Sequence, residues 1–386
     1  MGKKSKFEDI VKVDQAIIKN PDYFKTTYTP EEIIERKETY ELYRELSIFT
    51  KYRKANNILL KGFPGSGKTV TINIIIKHME KLFQDIQVFS VNCNDKSSSD
   101  ILKNLLGGNA KGNIHSLMNK FLDSINKDTL LIMDEIDRSN QIESLLYYLS
   151  RPTEAKKNFN KNISIILISN NLRWEDSIKK DSIRSSLQLK TLVFNPYSEN
   201  EIKGIIKERI KQGFCDEKAI LTESIDLISK RVSQEKKGDC RVAIEAVFNA
   251  AQIAESKKRN QIHKEDVQEA LKKAINNSDK VLISKLKDNQ LLTLYVVSTF
   301  DFNTIEDIHK NFVETIIKER LDIERITTVM VFHILNYLDD LCLIEKLVTT
   351  EMESGTPRKG TKIKLNIDRG LILDELIIRG LRLTRE

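Results

Sequence analysis

Apolar positions along this chain follow two rhythms, and the change between them divides it. Over roughly the first half, short near-continuous apolar runs alternate with stretches of helical spacing. Runs at 57–60, 86–92, 129–133, 162–169 and 191–194 predict strands, and runs of this kind separated by helices predict a parallel sheet covered on both faces. Residues 70–82, and the set Leu117, Phe121, Leu122 and Ile125, have the spacing of amphipathic helices. Residues 95–112 are polar and rich in Gly, Ser and Asn, which predicts loop and a short helix. Ahead of the first strand, Thr29 followed by Pro30, Glu31 and Glu32 predicts a helix start that runs on through Ile34, Tyr40, Leu42 and Leu46. Residues 1–18 predict a loosely ordered or helical arm.

From residue 198 the spacing is helical throughout, at 199–212, 221–232, 241–256 and 264–275. Asn276, Asn277, Ser278 and Asp279 form a polar stretch that predicts a linker. Beyond it, 291–300, 304–317 and 328–341 predict helices. Residues 343–348 and 362–365 alternate like paired strands around a polar, basic-tipped hairpin loop at 351–361. Helices followed by a two-stranded hairpin describe a winged helix. Three domains follow: 1–195, 196–278 and 280–386.

Between the first strand and the helix at 70–82 lies Gly62-Phe63-Pro64-Gly65-Ser66-Gly67-Lys68-Thr69, a G-x-x-x-x-G-K-T loop. Strand, loop and helix are the context in which this pattern cradles phosphate. The glycines let backbone N–H groups turn inward on an anion, and the helix start, with Val70, adds its positive dipole end. Lys68 would reach the β- and γ-phosphates of ATP, and Thr69 would hold Mg²⁺ through its hydroxyl.

Ligands on a parallel sheet lie at the carboxyl ends of its strands. Asp134 and Glu135 end one apolar strand and Asn170 ends another, so these residues and the loop form one expected site. Asp134 would hold Mg²⁺, Glu135 would polarise the attacking water, and Asn170 would bond the γ-phosphate and that water. Asp137 is expected to be structural, paired with Arg138. Arg241, in a Gly238-Asp239-Cys240-Arg241 helix start, is placed to reach the phosphates, since an arginine there opposes the dipole and needs another reason. Arg184 reads either as an arginine finger for a neighbouring subunit or as a solvent-exposed helix residue. Tyr28 reads either as a base-stacking ring or as packing for a helix start. Trp174 reads as loop packing. In the winged helix, Arg325, Thr327 and Thr328 at the recognition helix and Arg358, Lys359 and Lys362 on the wing are the DNA-contact candidates.

Composition narrows the class. At 386 residues, with 40% hydrophobic and 31% charged, the chain suits two or three globular domains. No apolar run approaches a membrane span, and the basic N-terminus leads into an acidic pattern rather than an apolar signal core, which predicts an intracellular protein of the cytoplasm or nucleoid with no membrane partner. Four cysteines and five histidines are scattered without metal-ligand spacing. The net charge of +7 suits a polyanionic partner, and also simple solubility.

Together these motifs resemble the origin-recognition initiator ATPases of archaea and eukaryotes, of cell-division-control type, a branch of the AAA+ superfamily. The resemblance spans nearly the whole chain. It rests on Pro21-Asp22-Tyr23, Tyr28-Thr29-Pro30 with Arg36, the Gly62 to Thr69 loop (Walker A), Asp134-Glu135-Ile136-Asp137 (Walker B) and Ile168-Ser169-Asn170 (sensor 1). It rests further on Arg184-Ser185-Ser186-Leu187, Phe194-Asn195-Pro196-Tyr197, Gly238-Asp239-Cys240-Arg241 (sensor 2) and the C-terminal winged helix. It implies an α/β nucleotide-binding sheet domain, an all-helical lid and a winged-helix domain, with Tyr28 and Tyr197 near the adenine. It also implies a protein that binds ATP or ADP with Mg²⁺, grips double-stranded origin DNA, helps recruit the replicative helicase and works beside related initiator subunits on neighbouring DNA sites. The family's arginine falls at Ser182 here, with Arg184 nearest, and hydrolysis is expected to be slow, a switch rather than a motor. The family's DNA-contacting insertion before Walker B corresponds to 95–112, whose only basic residues are Lys96, Lys103 and Lys111. Two other classes stay open on these residues. One is a clamp-loader or helicase-like ATPase acting on DNA without sequence choice, the other a signalling ATPase whose winged helix binds protein.

Overall fold

The computed structural model describes residues 16–31, 34–300, 304–353 and 356–381, with the side chains of 347–362 outside that description. Most of the expected N-terminal arm, residues 1–15, therefore lies outside the described residues. Two compact units are present: Thr26–Glu201 with Gly238–Cys240, and Met1–Lys25 with Ile202–Lys237 and Arg241–Glu386.

The first unit is built on five strands, β1 (Ile58–Gly62), β2 (Ile86–Asn92), β3 (Asp128–Asp134), β4 (Ile163–Ser169) and β5 (Lys190–Phe194). All pair in parallel, in the order β2-β3-β4-β1-β5. β4 is buried at every position because it is central and covered on both faces. Alternate residues of each strand feed opposite layers. Leu59, Leu131, Met133, Ile165 and Leu167 join one apolar cluster, with Phe121 and Leu145. Ile58, Leu60, Leu130, Ile132, Ile166 and Ile168 join another, with Leu42, Phe49 and Ile72. The helices supplying these layers are α1 (Lys37–Tyr52), α2 (Lys68–Leu82), α3 (Ser98–Leu105), α4 (Ile114–Ser124), α5 (Glu143–Ser150), the short α6 (Pro152–Ala155) and α7 (Asp181–Leu187). Trp174 is buried in the first layer, as loop packing.

The helix expected from Thr29 starts only at Lys37. Its N-cap residue Arg36 is extended and makes no side-chain cap bond, since a guanidinium has no acceptor for the first-turn amides, and it donates instead to the carbonyls of Ser66 and Asn195. Tertiary bonding has overridden a good local signal.

The second unit is mainly helical. Its first described segment is tied down: the Ile17 and Ile18 amides donate to Glu255 Oε1 at 2.6 and 2.9 Å, and Phe24 packs on Phe214 and Phe248. There follow α8 (Glu199–Gly213), whose first residues belong to the sheet unit, then α9 (Thr222–Glu235), α10 (Cys240–Ser256) and α11 (Lys264–Ser284). The linker expected at 276–279 is not there, since α11 runs straight through it. The stretch contains no Gly or Pro, and two of its polar side chains are engaged. Asn277 donates to Glu245 at 2.7 Å, and buried Asp279 pairs with buried Lys236 at 2.6 Å.

The end of α11 supplies Ile283 to a last core formed with α12 (Asp288–Thr299), α13 (Ile305–Glu319), α14 (Thr328–Asp340) and α15 (Arg369–Ile378). An antiparallel hairpin, β6 (Ile344–Glu353) and β7 (Thr356–Leu365), follows α14. Its strands run through most of the loop expected at 351–361, because the pairing continues in register to Glu353 and Thr356. Helices then hairpin is the order expected of a winged helix.

Candidate nucleotide-binding site

The phosphate loop leaves β1 at Gly62, and α2 begins at Lys68. Gly65 and Gly67 both have positive φ, 75° and 86°, a region where only glycine sits without strain. Gly67 is the helix N-cap, so the free amides of the first turn of α2, including Thr69 and Val70, face the loop's concave side. A side chain would not fit at either glycine. A Cβ at Gly65 would lie 1.9 Å from the Asp239 carboxylate, and one at Gly67 would lie 1.9 Å from the Tyr197 hydroxyl.

The sheet register brings the other groups to this loop. Lys61 lies opposite Ser169 and Met133 opposite Leu167, so the residues that follow, Gly62, Asn170 and Asp134, emerge at one edge. Lys68 Nζ donates to Asn170 Oδ1 at 2.9 Å and to the Gly62 and Phe63 carbonyls at 2.8 and 2.9 Å. Thr69 Oγ1 donates to Asp134 Oδ2 at 2.8 Å. Burial pushes the Asp134 carboxyl above the usual aspartate range, the Glu135 charge adds to this, and bonds from Thr69 and the Glu135 amide offset part of it.

Glu135 has a left-handed backbone, φ 53° and ψ 40°. This conformation is uncommon for a non-glycine residue and is found preferentially where function holds it. Its carboxylate accepts from Asn92 Nδ2 at 3.2 Å. Asn92 was not among the expected site residues, although it ends β2 directly opposite Asp134 in the register. Asp137, expected to pair with Arg138, accepts the Asn170 backbone N–H at 3.0 Å and so fixes the strand end that carries Asn170.

Tyr197 lies near the loop. Burial pushes its phenol up to about 12, and Arg36 sits over its ring at 4.7 Å. Gly238 packs under the Tyr197 backbone. Phe63 and Pro64 are half-buried in the loop, and Tyr28 is half-buried in the non-helical segment before α1. Arg184 is exposed on α7 and donates to the Asp176 carbonyl at 3.3 Å. Arg241 is an exposed residue in the first turn of α10, in the helical unit.

The DNA-contact candidates lie in that same unit. Thr327 is the N-cap of α14 and accepts the Met330 amide at 3.3 Å, Thr328 opens the helix, and Arg325 is exposed two residues before the cap. Arg358, Lys359 and Lys362 belong to β7, with side chains outside the described residues.

The donor set suits a magnesium nucleotide. Mg²⁺ favours one or two carboxylate or hydroxyl oxygens completed by phosphate and water, and Thr69 with Asp134 supplies such a pair. Among the described residues no cluster of three or more His, Cys, Asp or Glu could form an all-protein cage. Nor is any described helix long and apolar enough to cross a membrane.

Comparison with known proteins agrees with this geometry. Residues 58–195 match the model of the ATPase family associated with various cellular activities (AAA), and 203–272 match the Cdc6 AAA+ ATPase-type lid domain. An ORC1-type DNA replication protein of Pyrococcus abyssi is 25% identical over 94% of this chain and 90% of its own length. The fold is shared with the Aeropyrum pernix ORC2 protein, solved as ADPNP–ADP complexes, at a TM-score of 0.68 and 17% identity over 95% of this chain and all of that one. It is shared too with the Aeropyrum pernix ORC1 protein in complex with DNA, at 0.66 and 19% over 95% and 99%. With a phosphate loop, an acid-ended strand and an asparagine at one sheet edge, and a Cdc6-type lid following them in sequence, the chain belongs to the AAA+ ATPases of archaeal Orc1/Cdc6 type.

Proposed function

We propose that this protein is an ATP-dependent replication initiator that binds origin DNA through its C-terminal helices and hairpin and helps recruit the replicative helicase. What carries the reading is the convergence of Lys68, Thr69, Asp134 and Asn170 at one sheet edge, in a chain whose relatives are ORC1-type replication proteins.

When bound, Mg²⁺ held by Thr69 and Asp134 supplies positive charge to the phosphates. The loop amides and Lys68 bind the β- and γ-phosphates. Lys68 exchanges its internal bonds to the Gly62 and Phe63 carbonyls for phosphate oxygens and keeps Asn170 beside it. Asn170 orients a water toward the γ-phosphorus. Glu135, steadied by Asn92, accepts that water's proton on a carboxylate oxygen as the bond to ADP breaks. Arg241 senses the γ-phosphate for the helical lid. Arg184 serves a neighbouring subunit. Hydrolysis is slow and resets a switch.

Residues 280–386 carry 16 Lys and Arg against 17 Asp and Glu, so net charge does not recommend this module to DNA. Its basic residues are concentrated on β7, at Arg358, Lys359, Lys362 and Lys364. DNA contact by β7, with Arg325, Thr327 and Thr328 at the start of α14, fits that distribution. The test is selection of bound sequences from genomic DNA with and without ATP, using the wild type and Glu135→Gln. A recurring element enriched by the ATP-locked variant supports the proposal. Equal retention of random duplex favours a motor without sequence choice.

A further inference from the structure

We infer that Arg36 is a positioning residue for nucleotide: its guanidinium orients the Ser66–Gly67 peptide of the phosphate loop and ties that peptide to the segment from Asn195 to Glu201. The inference rests on the nucleotide reading of the loop and assigns a role that the loop motif itself does not contain.

Arg36 is buried, its side chain 6% exposed, and its guanidinium reaches two distant pieces of backbone. Nη1 donates to the Ser66 carbonyl at 3.3 Å, and Nη2 to the Asn195 carbonyl at 2.8 Å. Nε and Nη2 also donate to Glu38 at 3.1 and 3.2 Å, and Glu201 lies 3.4 Å from Nε. The planar cation covers the Tyr197 ring, whose hydroxyl sits against Gly67.

A trans peptide holds its C=O and N–H antiparallel. Fixing the Ser66 oxygen toward Arg36 therefore aims the Gly67 N–H away from the cation. That amide belongs to the loop's anion-binding set and would otherwise be free to rotate with its glycine. A buried arginine is a costly way to hold a loop that packing alone can hold. Its particular advantage is a rigid fork able to grip two carbonyls at once.

The same fork gives the loop a route outward. Asn195, Tyr197 and Glu201 lie on the segment that ends the sheet unit, whose boundary with the helical unit falls at Glu201–Ile202. A phosphate that turns the Ser66–Gly67 peptide must therefore disturb Arg36, and with it Asn195 and Tyr197. Glu38 keeps the lever charged and aligned. Burial pushes its carboxyl up, but the bonds from its own backbone, Arg36 and Asn195 and the Arg36 charge outweigh that and hold it below the usual glutamate range.

The test compares the full chain with Arg36→Gln and Arg36→Lys, measuring ATP and ADP affinity by calorimetry well below the melting temperature. It also follows backbone hydrogen exchange of 195–201 with and without saturating ATP. Both variants should bind ATP about tenfold or more weakly, lysine giving no rescue because one ammonium cannot bridge both carbonyls. ATP should slow exchange at 195–201 in the wild type and not in Arg36→Gln, even at saturation. A variant that melts lower yet binds ATP normally and shows the wild-type exchange response would overturn the inference and leave Arg36 merely structural. If the arginine variants do not fold, Glu38→Gln takes their place. It retains the shape and frees the fork, and an unchanged ATP affinity and exchange response there would also overturn the inference. A wild type that binds no adenine nucleotide overturns the nucleotide reading itself, a result distinct from the others.

Discussion

Lys68 Nζ and Asn170 Oδ1 lie 2.9 Å apart across 102 positions of sequence, the ammonium tied to the asparagine that ends the neighbouring strand. The contact separates two roles. Lys68→Ala should reduce ATP affinity by about a hundredfold or more, because a charge-assisted grip on phosphate is lost. Asn170→Ala should bind ATP within a few-fold of wild type and slow hydrolysis by about ten- to a thousandfold. Parallel binding and single-turnover measurements distinguish them, and equal damage to binding by both would contradict the assignment.

Asp134 predicts a pH dependence. Its pKa in the folded state lies above the usual aspartate value, chiefly through burial. The ionised form therefore costs the metal-free protein stability above that pKa, and the cost disappears as pH falls through it. Asp134→Asn should then melt higher than wild type at neutral pH without Mg²⁺, while losing Mg²⁺-dependent hydrolysis. Mg²⁺ affinity of the nucleotide complex should decline on acidification at a higher pH than an exposed aspartate would give, because protons compete for the carboxylate.

Glycine substitutions should sort by their surroundings. A Cβ at Gly238 would meet the Tyr197 carbonyl at 2.3 Å on a backbone with φ of 65°, so Gly238→Ala should cost about 2 kcal/mol or more. Gly204 lies within α8 with nothing within 4 Å of its added Cβ, so Gly204→Ala should stabilise by about 0.5–1 kcal/mol. Urea denaturation of the two variants measures both signs.

The buried pair of Lys236 and Asp279 predicts an asymmetry. Asp279→Ala leaves a buried cation alone and should cost about 3–5 kcal/mol, while replacing both residues with apolar ones of similar volume should be nearly neutral. Chemical denaturation of the single and double variants checks this.

DNA binding, if it runs through β7, should weaken with salt. With three or four phosphate contacts the slope of log K against log salt is about −3. Arg358, Lys359 and Lys362 changed together to alanine should flatten it toward zero, as read by fluorescence anisotropy over a salt series.

The sheet was legible because its inner strands, β1, β3 and β4, are buried on both faces and carry apolar runs, and the site because the loop motif and strand ends sit in fixed topological positions. Lys68, Thr69, Asp134 and Asn170 were read from those signals and do meet. Asn92 was not, because an asparagine ending a strand is ordinary and only the register sets it against Asp134. The N-cap signal at Thr29 misled because the bonding of Arg36, formed with residues far along the chain, outweighs it. The polar stretch at 276–279 misled because its polarity is satisfied inside the fold rather than by water.

The chain passes from one unit to the other between Lys237 and Gly238. Lys236 is pinned to Asp279, and Lys237 donates to the Asp339 carbonyl at the end of α14. One residue further on, Gly238 packs on Tyr197, and Asp239 packs on Gly65. The joint itself, Lys237 and Gly238, lies in the left-handed region with φ of 41° and 65°. Gly238 and Asp239, far along the chain, thus close over Tyr197 and Gly65, so the fit of the phosphate loop depends on residues that its own motif does not contain.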